Sequence, residues 1–364
     1  MSAKFYPRLE GLRGFSIILV MISHYIVITN FPQLKFLNFG FWGVNLFFVL
    51  SGFLITGILL RATESGESHS SILKGFYARR VLRIFPVYYL TILLLCLFQV
   101  DNSQTLFSYL VTYTLNLGNI WLNVGNSATM HFWSLCVEEQ FYLFWPVLLI
   151  KTPNKYRLLL MIGIVISSVA LRAIYQLSGG PAPVTFGHSF TFSCMDSLGA
   201  GGLLAYLQMH RSGIFRKIQQ HWALPAISAA IAFFVMARIC REESFIFQTF
   251  GRLLCSVTGF FLLAAGVSDK VSLWGRFLAN HRLRYLGKIS YGVYIFHWIL
   301  YFLFDHPFKK WWTGLNFGPL SKLAYNAWIG EFLFFSLLSV VIAGFSYCII
   351  ENPFLQLKGR LRWQ

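Results

Sequence analysis

Apolar stretches of about 20 residues follow one another from the N-terminus to Ile350, with no polar stretch of domain size between them. A hydrocarbon layer about 30 Å thick is crossed by about 20 helical residues, so the pattern predicts an all-α polytopic membrane protein forming a single domain over 1–364. Composition agrees: 56% of residues are hydrophobic, 12% are charged and the mean hydropathy is +0.60. The net charge of +17 would also suit a nucleic-acid binder. Here, however, the cations mark loops between apolar runs, so no nucleic acid is expected. The six cysteines stand singly and read as small apolar residues, not as staples, and no metal site is expected. Lys4 and Arg8 precede an apolar run as they would in an export signal. No small-x-small cleavage site follows, so the segment is expected to stay attached as the first helix.

The predicted spans are 13–30, 40–60, 84–100, 132–150, 158–177, 190–209, 222–237, 248–267, 289–304 and 328–350, which makes ten. Stretch 106–121 is apolar but studded with Ser, Thr, Tyr and Asn. If it spanned, Lys151, Lys155 and Arg157 would fall outside and every later loop would invert, so it is expected to dip in or lie flat. Ten spans then place most of the 30 Lys and Arg, among them Arg61, Lys74, Arg79, Arg80 and Arg83, on one side, with both termini cytoplasmic.

Polar residues inside these spans are the candidate site. The first span carries Arg13 and, eleven residues on, His24, which a helix would hold roughly 16 Å away near mid-bilayer. A histidine there is tolerated mainly when it faces a bundle interior or a cavity. Arg80 and Arg83 are three apart, so one helix face presents both guanidiniums as a grip suited to phosphates. Ser51 and Gly52 fall mid-span and read first as close packing, with room for a narrow substrate arm as a compatible use. Trp133 opens a span carrying Glu138 and Glu139. Adjacent residues point about 100° apart, so Glu138 is expected to face the cavity and Glu139 its rim. Tyr291, Tyr294 and His297 make a second polar stripe, and Asp196 is either paired with a buried Arg or on a water path. Asn116, Asn119, Asn123 and Asn126, beside Trp121, are the residues outside the spans that could contact a sugar, although an uncharged interfacial loop explains them as well.

Taken in order, Leu12-Arg13-Gly14, His24, Phe47-Phe48-x-x-Ser51-Gly52-Phe53, Arg80-x-x-Arg83-Ile84-x-Pro86, Trp133-Ser134-Leu135-x-x-Glu138-Glu139-x-Phe141-Tyr142, Ser290-Tyr291-x-x-Tyr294-x-x-His297 and Glu351-Asn352-Pro353-Phe354 closely resemble the acyltransferase-3 family of membrane acyltransferases. The resemblance implies a ten-helix protein of a bacterial inner membrane that takes an acyl group, usually acetyl, from cytoplasmic acyl-CoA as cosubstrate. The group is placed on a hydroxyl of a surface or exported carbohydrate or glycolipid, such as an O-antigen, exopolysaccharide or peptidoglycan, with no permanently bound cofactor. Some members carry an extracytoplasmic hydrolase-like domain after the last helix, which is not expected in a chain ending at Gln364. On this resemblance His24 is the general base, with Glu138 expected to orient it. Arg13, Arg80 and Arg83 hold the coenzyme phosphates, and Ser51, Trp133, Glu139, Tyr291, Tyr294 and His297 support the pocket. Direct transfer is favoured over a covalent acyl-imidazole. A transporter or glycan flippase would share the intramembrane charges but would not need the Arg80/Arg83 grip, and a scaffold for a glycan-assembly complex would tolerate loss of His24.

Overall fold

The computed structural model describes residues 6–28, 31–122, 128–268, 270–314 and 327–357, and these are helical throughout, without a strand. Pro7 opens α1 (Pro7–Ile22), where its missing N–H costs nothing. A π-helical turn over Ser23–Ile28 and a short 3-10 segment, Pro32–Leu37, lead into α2 (Phe39–Glu64). There follow α3 (His69–Leu97), α4 (Phe107–Val111), α5 (Leu115–Trp121), α6 (Trp133–Lys151), α7 (Asn154–Leu177), α8 (Pro183–Ser189) and α9 (Met195–His210). Then come α10 (Ser212–Gln220), α11 (Ala223–Ile239), α12 (Phe245–Gly266), α13 (Leu273–Leu278), α14 (His281–Lys288), α15 (Ser290–Gly314) and α16 (Ala327–Ser346). A second π turn, Tyr347–Glu351, precedes α17 (Asn352–Leu357).

Among the described residues five helical stretches are long and apolar enough to cross a membrane, or six if α10 and α11, bent by 65°, are counted as one. The chain is an integral membrane protein. Five of the ten expected spans fall on helices that do not meet that measure alone: α1 and α9, each 16 residues, α6, α15, and α11, which meets it only together with α10. Glu138, Glu139 and Gln140 dilute α6, while His297, Asp305 and His306 dilute α15. Stretch 106–121 forms α4 and α5, of 5 and 7 residues, both too short to cross the layer.

The bundle is built around α2. Within the apolar stretch containing it, 78% of residues are buried, against 17% in α7. Helices α1, α6, α9 and α12 all pack on it. The crossing with α9 is close because glycines meet backbone: a Cβ on Gly52 would lie 1.9 Å from the Leu198 carbonyl oxygen, and one on Gly201 would lie 1.9 Å from that of Val49. The close-packing reading of this part of α2 therefore holds for Gly52. In Gly52→Ala the helices must separate, which is expected to cost about 1–3 kcal/mol of stability. Gly163→Ala, where nothing lies within 4 Å of the new methyl, is the matched control. Thermal unfolding of both variants in detergent checks this, and equal transitions would contradict the crossing.

Candidate functional site

A cavity of about 750 Å³, counted out to its mouth, opens between α1, α2, α3, α6 and α15. Arg13, Arg80 and Arg83 line it together with Ser51, Ser134, Glu138, Glu139, Tyr291 and Tyr294. Ser51 donates to Glu138 Oε1 at 2.5 Å and accepts from the Tyr142 hydroxyl at 3.1 Å. The Arg80 guanidinium lies over the Tyr142 ring, 5.3 Å from its centroid. Among the described residues none of the three arginines is in salt-bridge contact with a carboxylate. Three half-buried cations facing one cavity in an apolar bundle make a site that favours an anion.

Beyond Tyr294 lie three histidines. His24 Nδ1 is 2.7 Å from His297 Nε2, and the two rings are parallel with centroids 5.0 Å apart. His297 Nδ1 is 2.7 Å from the Tyr294 carbonyl oxygen. His131 packs edge-on against His297 at 4.9 Å, with its Nε2 3.2 Å from the Ile295 carbonyl oxygen. Carbonyls only accept, and that settles the protons of neutral rings. His297 carries its proton on Nδ1, so its Nε2 must accept, and His24 Nδ1 must donate to it. The lone pair of His24 is then on Nε2, which makes no hydrogen bond among the described residues and is not enclosed. Tyr294 joins the two regions: its hydroxyl donates to the His131 carbonyl at 2.9 Å and lies 2.5 Å from the Ser134 hydroxyl.

A family model described as an acyltransferase domain matches residues 6–349. The chain belongs to the acyltransferase-3 family. It is 30% identical to a putative peptidoglycan O-acetyltransferase of Bacillus subtilis, over 81% of this chain and 48% of that one. It is 29% identical to the peptidoglycan O-acetyltransferase OatA of Listeria monocytogenes, over 82% of this chain and 49% of that one. Putative O-acetyltransferases of Staphylococcus aureus match at 28% identity, over 96% of this chain and 57% of theirs. The chain thus spans about half the length of the curated relatives it matches. No solved structure matches it.

In this acyltransferase-3 chain the motif residues do not all meet in one place. Arg13, Ser51, Arg80, Arg83, Glu138, Glu139, Tyr291 and Tyr294 line the cavity, whereas His24, His297 and Trp133 do not. The carboxylate expected beside His24 is elsewhere: Glu138 is tied to Ser51, and His297 is the group against the His24 ring. Ser51 is therefore more than a packing residue. Glu139 lines the cavity too, at the boundary with a groove shared with Tyr113 and Gln140. Trp133 packs between Phe48 and His188, at 6.1 and 4.6 Å. Asp196 is the partner of Arg172, at 2.8 Å, so of the two expectations for it the ion pair is realised.

Asn116 is an internal strut, donating to the Ser189 carbonyl and accepting from Gln140, not a free sugar contact. Asn119 Oδ1 is enclosed without a hydrogen-bond partner among the described residues, and Trp121 is exposed against Phe190. Asn123 and Asn126 lie outside the described residues. Sequence reading missed His131, two residues before Trp133, and gave no site role to Glu351 of the terminal motif, which lies within electrostatic reach of Arg83. The only signal for His131 was a histidine abutting the Trp133-Ser134-Leu135 motif. The tautomers are directly measurable: ¹⁵N spectra of histidine-labelled protein are expected to show His24 and His297 protonated on Nδ1, and an Nε2-protonated His24 would contradict the hydrogen-bond chain.

Proposed function

We propose that this protein is a membrane O-acyltransferase that moves an acyl group, acetyl by preference, from cytoplasmic acyl-CoA to a hydroxyl of a carbohydrate acceptor. The observation that carries the reading is one cavity lined both by three arginines that make no salt-bridge contact among the described residues and by Tyr294, the link to a polarised histidine pair. Arg13, Arg80 and Arg83 would take the coenzyme phosphates, and the pantetheine arm would bring the thioester past Ser51 and Ser134 towards Tyr294. The relatives' names, peptidoglycan O-acetyltransferase among them, point to a glycan of the cell envelope as acceptor.

His24 Nε2 takes the proton of the acceptor hydroxyl as its oxygen adds to the thioester carbonyl. The tetrahedral oxyanion collapses, the carbon–sulfur bond breaks, and the imidazolium returns the proton to the departing thiolate. His297 acts through His24 by fixing which nitrogen bears the lone pair, the service that a carboxylate gives in other base-assisted acyl transfers. Glu138 holds Ser51 and sits in the field of Arg13 and Arg80, so its place in this reading is in the wall of the donor cavity.

Purified protein supplied with labelled acetyl-CoA and candidate glycans tests the reading. His24→Ala is expected to lower kcat on the order of 10²- to 10⁴-fold. Arg83→Gln is expected to raise the acetyl-CoA KM about tenfold with a smaller change in acceptor KM. Undiminished transfer by His24→Ala would overturn it, and glycan movement across vesicles without acylation would point to a flippase instead.

A further inference from the structure

A second polar cleft lies along the same helix as the donor cavity. It is formed by Asn38 and Phe41 from the start of α2, Gly187 and His188 from α8, Glu242 before α12, and Phe247, Gln248 and Arg252 from α12, and measures about 310 Å³ counted out to its mouth. None of these residues belongs to the motifs that led to the first cavity. Arg252 is only 2% exposed, and its Nη1 donates to Asn45 Oδ1 at 2.8 Å. Its Nη2 donates to the His188 carbonyl, and its charge sits over the Phe41 ring at 4.8 Å. Its Nε has no hydrogen-bond partner although it is fully enclosed. An unmade bond of this kind in a buried guanidinium is costly. The His188 ring likewise makes no hydrogen bond to protein among the described residues; only its backbone carbonyl does. Gly187 keeps the cleft open, because a Cβ there would meet Gln248 Oε1 at 2.2 Å.

The two cavities share a helix face. Phe41 lines the cleft, and Val44, Phe48 and Ser51 line the donor cavity. These residues are spaced three, seven and ten positions from Phe41, which places all four within about 80° of one another on α2, and only about 4.5 Å of rise separates Phe41 from Val44. Trp133 closes the gap laterally, with one side on Phe48 of the donor cavity and the other on His188 of the cleft.

We propose that the cleft around His188, Glu242 and Arg252 is an acceptor subsite that holds a carbohydrate beside the reacting unit, with Trp133 packed between the cleft and the donor cavity. The inference rests on the acyltransferase reading of the first cavity. The cleft chemistry selects the ligand class. Phe41 and Phe247 offer apolar faces for the C–H side of a sugar ring, while hydroxyls need both partners: donors from Arg252 and the amides of Asn38, and acceptors from Glu242 and Gln248 Oε1. A phosphate would meet the Glu242 carboxylate, and an acyl chain would leave Asn38, Glu242, Gln248 and Arg252 without partners.

The test measures transfer from labelled acetyl-CoA to two acceptors, a tetramer of N-acetylglucosamine and a soluble digest of peptidoglycan glycan strands. Wild type, His188→Leu, Glu242→Gln and His24→Ala are compared in detergent. Each cleft variant is expected to raise acceptor KM about fivefold or more, the loss of one hydrogen bond, while acetyl-CoA KM moves less than about twofold. Glu242 is exposed, so its substitution keeps the test alive if the His188 variant fails to fold. Acceptor KM values equal to wild type in both variants overturn the subsite and leave the acyltransferase reading standing. Inhibition by inorganic phosphate, competitive with the glycan and lost in His188→Leu, assigns the cleft to an anion and also overturns it. No labelled product from wild type with either acceptor overturns the acyltransferase reading itself.

Discussion

The hydrogen bond from His297 Nδ1 to the Tyr294 carbonyl, 2.7 Å long, is the constraint that gives the rest of the site its polarity. A carbonyl has no proton to give, so the neutral ring has one tautomer available there, and His24 inherits the complementary order. His297 is fully buried, which removes the water that could offer its ring another partner. The Tyr25 hydroxyl donates to the His297 carbonyl at 2.7 Å, tying the π turn of Ser23–Ile28 to α15. A π turn is a common way of re-aiming a side chain at a functional site, and here it holds His24 against α15.

Buried charge falls into two kinds in this bundle. Arg172 is fully engaged: with Asp196 at 2.8 Å, Ser168 at 3.1 Å, the Ser193 carbonyl, and the Thr249 carbonyl at 2.9 and 3.2 Å. Such an ion pair closes its own electrostatic account and holds α7, α9 and α12 together, and removing one partner would strand the other charge in an apolar phase. Arg13, Arg80 and Arg83 are the opposite case. They line a cavity and make no salt-bridge contact among the described residues, although Glu138 and Glu139 share that cavity, which leaves their guanidiniums available to an anion.

The sequence made the arginines legible because they needed only local geometry. Three positions apart on a helix means one face, and Arg80 and Arg83 do line one cavity. What it hid depended on how helices are set against each other. Glu138 and His24 lie on different helices, and nothing in either local pattern says that Ser51 will take the carboxylate while His297 takes the imidazole. Asp196 was ambiguous for the same reason, since its partner is 24 positions away on a neighbouring helix. The π turn at Ser23 was hidden differently: it changes the direction of a helix without changing its apolar pattern, so a straight helix was the natural expectation. His131 escaped because it precedes α6, in a stretch read as loop.

Three of the helices that fail as free-standing spans carry residues of the candidate site. Helix α1 holds Arg13 and leads into His24, α6 holds Glu138 and Glu139, and α15 holds Tyr291, Tyr294 and His297. Each polar group put into the hydrocarbon layer costs free energy that a helix alone cannot recover. The neighbours recover it by enclosing those groups, and α2, with most of its surface buried, is the element that several of them share. Two of its polar positions, Asn45 and Ser51, are committed to Arg252 on one side and Glu138 on the other. The fold and the site are therefore one problem: the bundle holds these polar groups in an apolar phase partly because polar side chains of its central helix are committed to holding them.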